Sequence, residues 1–174
     1  MEINFTLPEN WTEITLKQYQ QLNFNDTASV IACLSQVEVE YILNFTDEQL
    51  NVVLSDLKYL QDLPHPVLVD EIKSFKRRDN LLGLTAEELL MIEELCQDFQ
   101  NNADLILGFV YPFKEEMSIE ELKSHAINFH DIDCQTMFGS VLYYLSTAGF
   151  LTMKTMVEAK KIELKNENKI ELNG

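Results

Sequence analysis

Four stretches of this sequence carry the same signal for the start of an α-helix, and they constrain the fold more than any other feature. In each stretch a Ser or Thr is followed three residues later by a Glu or Gln, and apolar residues flank this pair on both sides. The two polar side chains satisfy backbone amides that the first helical turn leaves free, and the apolar pair fixes the angle at which the chain enters the helix. The Ser and Thr residues are Thr15, Thr46, Thr85 and Ser118. The sequence therefore predicts a mainly helical fold.

Apolar residues recur at helical spacing after each start and also between the starts. The predicted helices span residues 16–22, 27–34, 47–60, 86–100, 103–110 and 119–126, with a short helical turn at 39–43. Asp26 or Thr27 is the predicted cap of the second helix, and prolines end the helices that stop before Pro64 and Pro112. Residues 67–83 leave two alternatives open, which are a strand or hairpin and a single helical turn.

The segment from Cys134 to Met153 contains no charged residue and predicts the central helix of the core. Its apolar residues at three- and four-residue spacing are Met137, Phe138, Val141, Leu142 and Leu145, and Tyr143, Tyr144 and Phe150 extend the apolar surface around most of the circumference. We expect neighbouring elements to enclose such a helix. The segment is about as long as a membrane span, but Gln, Ser and Thr residues interrupt it, so no membrane association is expected.

Both ends of the chain alternate apolar and polar residues, which is the pattern of β-strands. A strand is predicted over residues 2–7, and a C-terminal hairpin is predicted over residues 161–173. Their apolar residues are Ile3, Phe5 and Leu7 in the strand and Ile162, Leu164, Ile170 and Leu172 in the hairpin. Such short elements are not stable alone, so these residues are predicted to bind a partner, either each other or an edge of a neighbouring subunit.

These elements fit one domain, because 174 residues are enough to bury a continuous core without disulfides or a metal. The predicted fold is a mainly α single domain over residues 1–174, a multi-helix bundle around the central apolar helix. Its helical body spans about residues 15–159. A small antiparallel β element, formed by the N-terminal strand and the C-terminal hairpin, completes it.

The charge of the chain restricts its partners. A formal net charge of −16 and a pI near 4.4 argue against direct nucleic-acid binding, which requires clustered Lys and Arg. The basic cluster KSFKRR, from Lys73 to Arg78, is expected to be a solvated loop, with phosphate contact as the alternative. Cys33, Cys96 and Cys134 form no disulfide framework, and the N-terminus has no secretory-signal pattern. We therefore expect a reducing compartment, either the cytosol or a particle assembled there.

Side chains of metal-binding or nucleophilic type lie between residues 125 and 134, but their spacing predicts no reactive site. His125 and His130 are five residues apart, so on a helix they point to different faces; Asp131 and Asp133 complete no ligand set. Cys134 follows His130 by four residues, which places a thiol beside an imidazole, but no oxyanion loop accompanies them. Because the chain also lacks a glycine-rich phosphate loop, no catalytic residue, no metal and no cofactor is predicted.

Five segments carry a resemblance that covers most of residues 7–151. They are LPENWTEITLKQYQQL, SVIACLSQVEVEYILNFTDEQLNVVLSDLKYL, LTAEELLMIEEL, LGFVYPF and DCQTMFGSVLYYLSTAGFL. In these segments the chain resembles a family of small, acidic, helical proteins encoded among the morphogenesis genes of tailed bacteriophages. The family includes tail-assembly chaperones, and the resemblance is greatest to members from crAss-like and other phages of Bacteroidetes hosts. It implies a non-enzymatic protein that acts through protein–protein surfaces in the virion or host cytoplasm, with other phage structural proteins as partners.

Two roles fit this resemblance: a tail assembly chaperone and a head–tail connector component that forms a homo-oligomeric ring. The predicted strand and hairpin at the two ends of the chain are not typical of these chaperones. They keep the structural role open as an alternative. A rival of another class is an acidic decoy that occupies a nucleic-acid-binding site on a host or phage protein, although a mimic should arrange its acids in rows. The third alternative is a small enzyme that uses Cys134 and His130.

Overall fold

A computed structural model describes residues 5–78 and 84–146, and more than half of these residues are in α-helices. The helices are α1 (Leu16–Gln21), α2 (Thr27–Ser35), α3 (Val39–Leu43), α4 (Asp47–Asp56), α5 (Ala86–Gln97), α6 (Phe99–Val110), α7 (Ile119–Ala126) and α8, which is described over residues 134–146. Short 3-10 turns lie at Trp11–Glu13, Leu57–Gln61 and Ile127–Phe129. The predicted mainly helical class is confirmed.

All four predicted helix starts are confirmed as reciprocal capping boxes. At Thr15, for example, the hydroxyl accepts from the amide of Gln18 at 3.2 Å, and the Gln18 side chain accepts from the amide of Thr15 at 3.0 Å. The helices α1, α4, α5 and α7 begin at the predicted residues, and α7 also ends where it was expected.

Two predicted helices differ from those observed near Asp98. The predicted helix 86–100 ends as α5 at Gln97, and the predicted helix 103–110 begins earlier, because α6 starts at Phe99. Asp98 alone separates the two, with backbone angles of φ −124° and ψ 66° that lie outside the helical region. This single break lets α5 and α6 fold back and pack against each other.

Two alternatives were open for residues 67–83, and the described part of this segment forms the hairpin. Strands β1 (Glu71–Ile72) and β2 (Phe75–Lys76) pair antiparallel, with Ile72 opposite Phe75. The two turn residues, Lys73 and Ser74, have φ values of 48° and 69°. Positive φ at both central positions is what a tight two-residue hairpin turn requires.

Helix α8 lies at the core, as predicted, but it is not enclosed on all sides. Met137, Val141 and Tyr144 are fully buried on one face, against the helical body. Leu142, which was predicted to be inward, is 47% exposed. Each residue advances about 100° around a helix, so Leu142 follows Val141 away from the buried face. Among the described residues, every helix is too short or too polar to cross a membrane.

The predicted N-terminal strand is not confirmed. Phe5 and Leu7, in its described part, belong to no strand of the described residues and pack against the core instead. The ring of Phe5 is parallel to that of Phe45 at a centroid distance of 6.0 Å and edge-on to that of Tyr41 at 6.2 Å. Aromatic packing on Tyr41 of α3 and on Phe45, which follows α3, thus replaces strand pairing here. Residues 2–4, the predicted hairpin 161–173 and the last part of the predicted central helix lie outside the described residues.

Candidate interaction surfaces

Cys134 lies at the junction of α1 and α8, where its amide and its thiol contact the backbone of the residues that precede α1. Its amide donates to the carbonyl of Ile14 at 2.9 Å, and its thiol lies 3.8 Å from the carbonyl oxygen of Thr15. Burial raises the pKa of this thiol to about 12, so it stays protonated near neutral pH. The imidazole of His130 is hydrogen-bonded to Asp104 instead, with its Nε2 3.1 Å from Oδ2 of Asp104. Among the described residues the fold therefore makes no thiolate–imidazole pair from these two side chains.

His125 is a buried histidine whose polar atoms are engaged within the fold. Its Nε2 lies 2.7 Å from the carbonyl oxygen of Tyr111, and its Nδ1 lies 3.4 Å from Nδ2 of Asn128. Asn128 also donates to the carbonyl of His125 at 2.8 Å. These bonds fix the orientation of the imidazole ring.

The two aspartates that follow His130 have structural partners as well. Asp131 forms an ion pair with Lys73, and the hydrogen bond from that ammonium lowers the pKa of the Asp131 carboxyl. Asp133 begins α8, because its carboxylate accepts from both the amide and the hydroxyl of Thr136 at 2.9 Å. Within residues 5–78 and 84–146, no group of three or more His, Cys, Asp or Glu side chains is placed to hold a metal ion.

The basic cluster that was expected to be a solvated loop is instead bound to the fold. Arg77 pairs with Asp70 at 2.8 Å, and its guanidinium lies 4.7 Å from the ring centroid of Tyr143. Arg78 donates from Nη2 to the carbonyl of Glu115 at 2.7 Å. With the ion pair of Lys73, these contacts fasten the hairpin to the surrounding elements. Several of their partners lie far away in the sequence, so local composition could not indicate them.

A groove of about 630 Å³ lies between the N-terminal segment and α4, and we call it the N-terminal groove. It is lined by Phe5, Thr6, Leu7, Pro8, Glu9, Val52, Val53 and Asp56. Val52 is 53% exposed, and Glu9 and Asp56 contribute carboxylates to the lining. The backbone of residues 5–7 makes no hydrogen bond to any other described residue. This groove therefore combines apolar surface, negative charge and unpaired backbone groups.

The predicted partner-binding residues are only partly described. Phe5 and Leu7 line the N-terminal groove. The others, which are Ile3, Ile162, Leu164, Ile170 and Leu172, lie outside the described residues. The contribution of Val52 was missed, because only the packing of α4 decides which of its neighbouring apolar residues stays accessible.

A second groove, of about 440 Å³, lies beside α7, and we call it the His125 groove. It is lined by Phe75, Phe113, Glu120, Glu121, Ser124, His125 and Asn128. These residues come from β2, the loop after α6, α7 and the 3-10 turn Ile127–Phe129. The sequence did not indicate this groove, since its aromatic residues are brought together by tertiary packing.

No protein-family model matches this chain, and it is similar to no curated protein and to no solved structure. Both grooves combine aromatic or aliphatic walls with carboxylates, which is a chemistry suited to binding peptide segments.

Proposed function

We propose that this protein is a non-enzymatic structural or assembly protein of a tailed bacteriophage, and that it binds other copies of itself and other phage proteins through its surface. The phage assignment is supported by the sequence resemblance over residues 7–151. One structural observation carries the mechanism, which is the unpaired backbone of residues 5–7 beside the N-terminal groove. Unpaired backbone groups next to apolar surface favour the addition of a peptide segment from another chain.

The proposed occupant of the N-terminal groove is the C-terminal segment 161–172 of a neighbouring copy. In this segment Ile162, Leu164, Ile170 and Leu172 alternate with polar residues. A segment with that pattern offers apolar side chains to a groove on one side, while its backbone pairs with the free groups of residues 5–7. Phe5, Leu7 and Val52 supply the complementary apolar surface.

Charge also favours this segment over the rest of the chain. Residues 161–174 contain three Lys and three Glu, so their net charge is zero and the full −16 belongs to residues 1–160. Approach of the acidic body to the carboxylates of Glu9 and Asp56 is repulsive. The lysines of the segment can instead pair with these carboxylates.

A contact between the groove of one copy and the C-terminus of the next is heterologous. Heterologous contacts produce a closed ring when the rotation between copies closes, and an open filament when it does not. A ring formed in this way suits a component of the head–tail connector. The same groove suits a chaperone when its occupant is a segment of a tail protein.

We expect deletion of residues 161–174 to abolish self-association while leaving helical circular dichroism and cooperative melting largely intact. Sedimentation velocity on the full-length and shortened proteins measures the change in oligomeric state. A second variant, Val52→Glu, adds a charge to the exposed apolar wall of the groove and should give the same loss of self-association.

The matched control is Leu63→Glu, which adds the same charge at an apolar residue that is 83% exposed and outside the groove lining. It should assemble normally. Self-association that survives both the deletion and Val52→Glu would overturn the proposed contact. If the shortened protein unfolds, Val52→Glu still tests the groove.

The phage role is tested by mass spectrometry of purified virions. A high copy number supports the ring component, and absence from the particle supports the chaperone. Detection in neither virions nor assembly intermediates of a phage that encodes the protein contradicts both roles.

The acidic decoy has less support in the arrangement of charges. Two acids of α5 and two of α7 lie in the first helical turns, where Glu88 and Glu121 complete capping boxes. The Glu88 and Glu121 side chains satisfy the starts of their own helices. A complex with a nucleic-acid-binding protein that dissociates as salt is raised would favour the decoy over our proposal.

A further inference from the structure

We propose that the His125 groove binds an arginine side chain of a partner protein, with the guanidinium at Glu120 and the aliphatic stem against Phe75 and Phe113. This site is separate from the N-terminal groove and does not depend on self-association. The shape of the groove, its charge and a cation of the chain itself at its edge support this binding.

The aromatic walls of the groove are held in place by packing around His125. The ring centroid of Phe75 lies 4.5 Å from that of His125 at an interplanar angle of 86°, and that of Phe113 lies 5.2 Å away at 67°. The hydrogen bond of His125 to the carbonyl of Tyr111 fixes the central ring. Phe113 remains 49% exposed, so part of the apolar wall is accessible from solvent.

Two glutamates line the groove, and one of them has no partner among the described residues. Glu121 is engaged, since its carboxylate pairs with Lys114 and accepts from the amide of Ser118. The exposed carboxylate of Glu120 has no hydrogen bond or ion pair among the described residues. A free carboxylate beside aromatic rings favours a cation, because the charge pairs with the carboxylate while the rings attract cations and cover the stem.

Lys114 provides an example of this recognition within the chain. Its ammonium pairs with Glu121 and lies 5.6 Å from the ring centroid of Phe113. One edge of the groove therefore already combines an ammonium, a carboxylate and an aromatic ring. Glu120 lines the same groove and has no bound cation among the described residues. Arginine fits best, because its planar guanidinium both pairs with carboxylates and stacks on aromatic rings.

The test uses Nα-acetyl-arginine amide as the probe, with Nα-acetyl-citrulline amide as its neutral analogue of nearly the same shape. Saturation-transfer difference NMR on the full-length protein measures weak binding even in a large assembly. We expect saturable arginine binding in the millimolar range, at least threefold tighter than that of citrulline. Glu120→Gln should weaken arginine binding at least threefold and leave citrulline unchanged.

Glu48→Gln is the matched control, because Glu48 occupies the same second position of α4 that Glu120 occupies in α7. Both changes remove one exposed carboxylate from the first turn of a capped helix, but only Glu120 lines the groove. Phe113→Leu should also weaken arginine binding, since it removes an accessible ring. Equal binding of arginine and citrulline, or equal effects of the Glu120 and Glu48 variants, would overturn the proposal. Sedimentation measures self-association separately, so failure here is distinguishable from failure of the contact at the N-terminal groove.

Discussion

The starts of α1 and α4 carry the same capping signal but lie in very different surroundings. At α1, the first-turn amides of Leu16 and Lys17 donate to the carbonyls of Ile132 and His130 at 2.7 and 2.9 Å. At α4, the amides of residues 47 and 48 have no hydrogen-bond partner among the described residues. The same local signal therefore begins one helix inside the core and another at the surface.

The difference extends to the side chains that each helix presents. Ile14 and Leu16 are fully buried at the α1 junction with α8. In α4 only Val53 is buried, and Val52 and Leu54 remain exposed. The α1 junction is consequently part of the core, whereas α4 provides accessible surface. The proposed self-association contact uses this accessible surface of α4.

The largest expected effect concerns the buried face of α8. Met137→Ala should lower the free energy of unfolding by about 2 to 5 kcal/mol, because Met137 is fully buried and its removal leaves a cavity. Leu142→Ala is the control in the same helix and should lower it by less than about 1 kcal/mol, since Leu142 is largely accessible to solvent. Urea unfolding measures both. Equal losses would mean that α8 is enclosed on both sides, as the sequence alone predicts.

A smaller loss is expected where α8 touches the chain before the hairpin. A Cβ at Gly139 would lie 2.2 Å from the carbonyl oxygen of Val67, so Gly139→Ala forces two backbones apart. We expect a loss of about 1 to 3 kcal/mol in thermal or urea unfolding, despite the better helix propensity of Ala. The control is Gly108→Ala, where the closest atom is the flexible end of Leu122 at 2.7 Å. A loss at Gly108 as large as that at Gly139 would contradict this explanation.

The smallest effect compares the two helix starts directly. Thr15→Ala should lower the free energy of unfolding by about 1 to 2 kcal/mol, and Thr46→Ala by about 0.5 to 1 kcal/mol. Both changes remove one capping hydroxyl, but Thr15 is half-buried and bridges to Asp133, whereas Thr46 is exposed. Paired urea titrations of the two variants measure the difference. Identical losses would show that the tertiary setting of the cap contributes nothing.

Much of the helical architecture was predictable because capping is local. Each box needs only a hydroxyl and an amide or carboxylate three residues apart, and the hydrogen bonds close within one turn. For this reason the starts at Thr46, Thr85 and Ser118 could be read without knowledge of the fold. The break at Asp98 was not predictable in the same way, since one residue leaves the helical region while the apolar pattern continues on both sides.

The candidate surfaces were less predictable, because they are formed by residues that are distant from each other in the sequence. Phe5 and Leu7 were expected to pair as a strand, but their described contacts are with aromatic and core residues of the helical body. The His125 groove depends on Phe75 and Phe113, which are separated by more than thirty residues in the sequence. The apolar periodicity within one helix or strand does not indicate that these two residues come together in the fold.

The sequence by itself determined the helical class and the places where four helices begin, because these depend on hydrogen bonds between near neighbours. Only the tertiary structure decided that Leu142 is exposed, that Lys73 and Arg77 near the hairpin are paired, and that Glu120 has no partner among the described residues. Burial and pairing are set by surfaces that come from distant parts of the chain, and a residue's own neighbours do not reveal which of those surfaces will cover it.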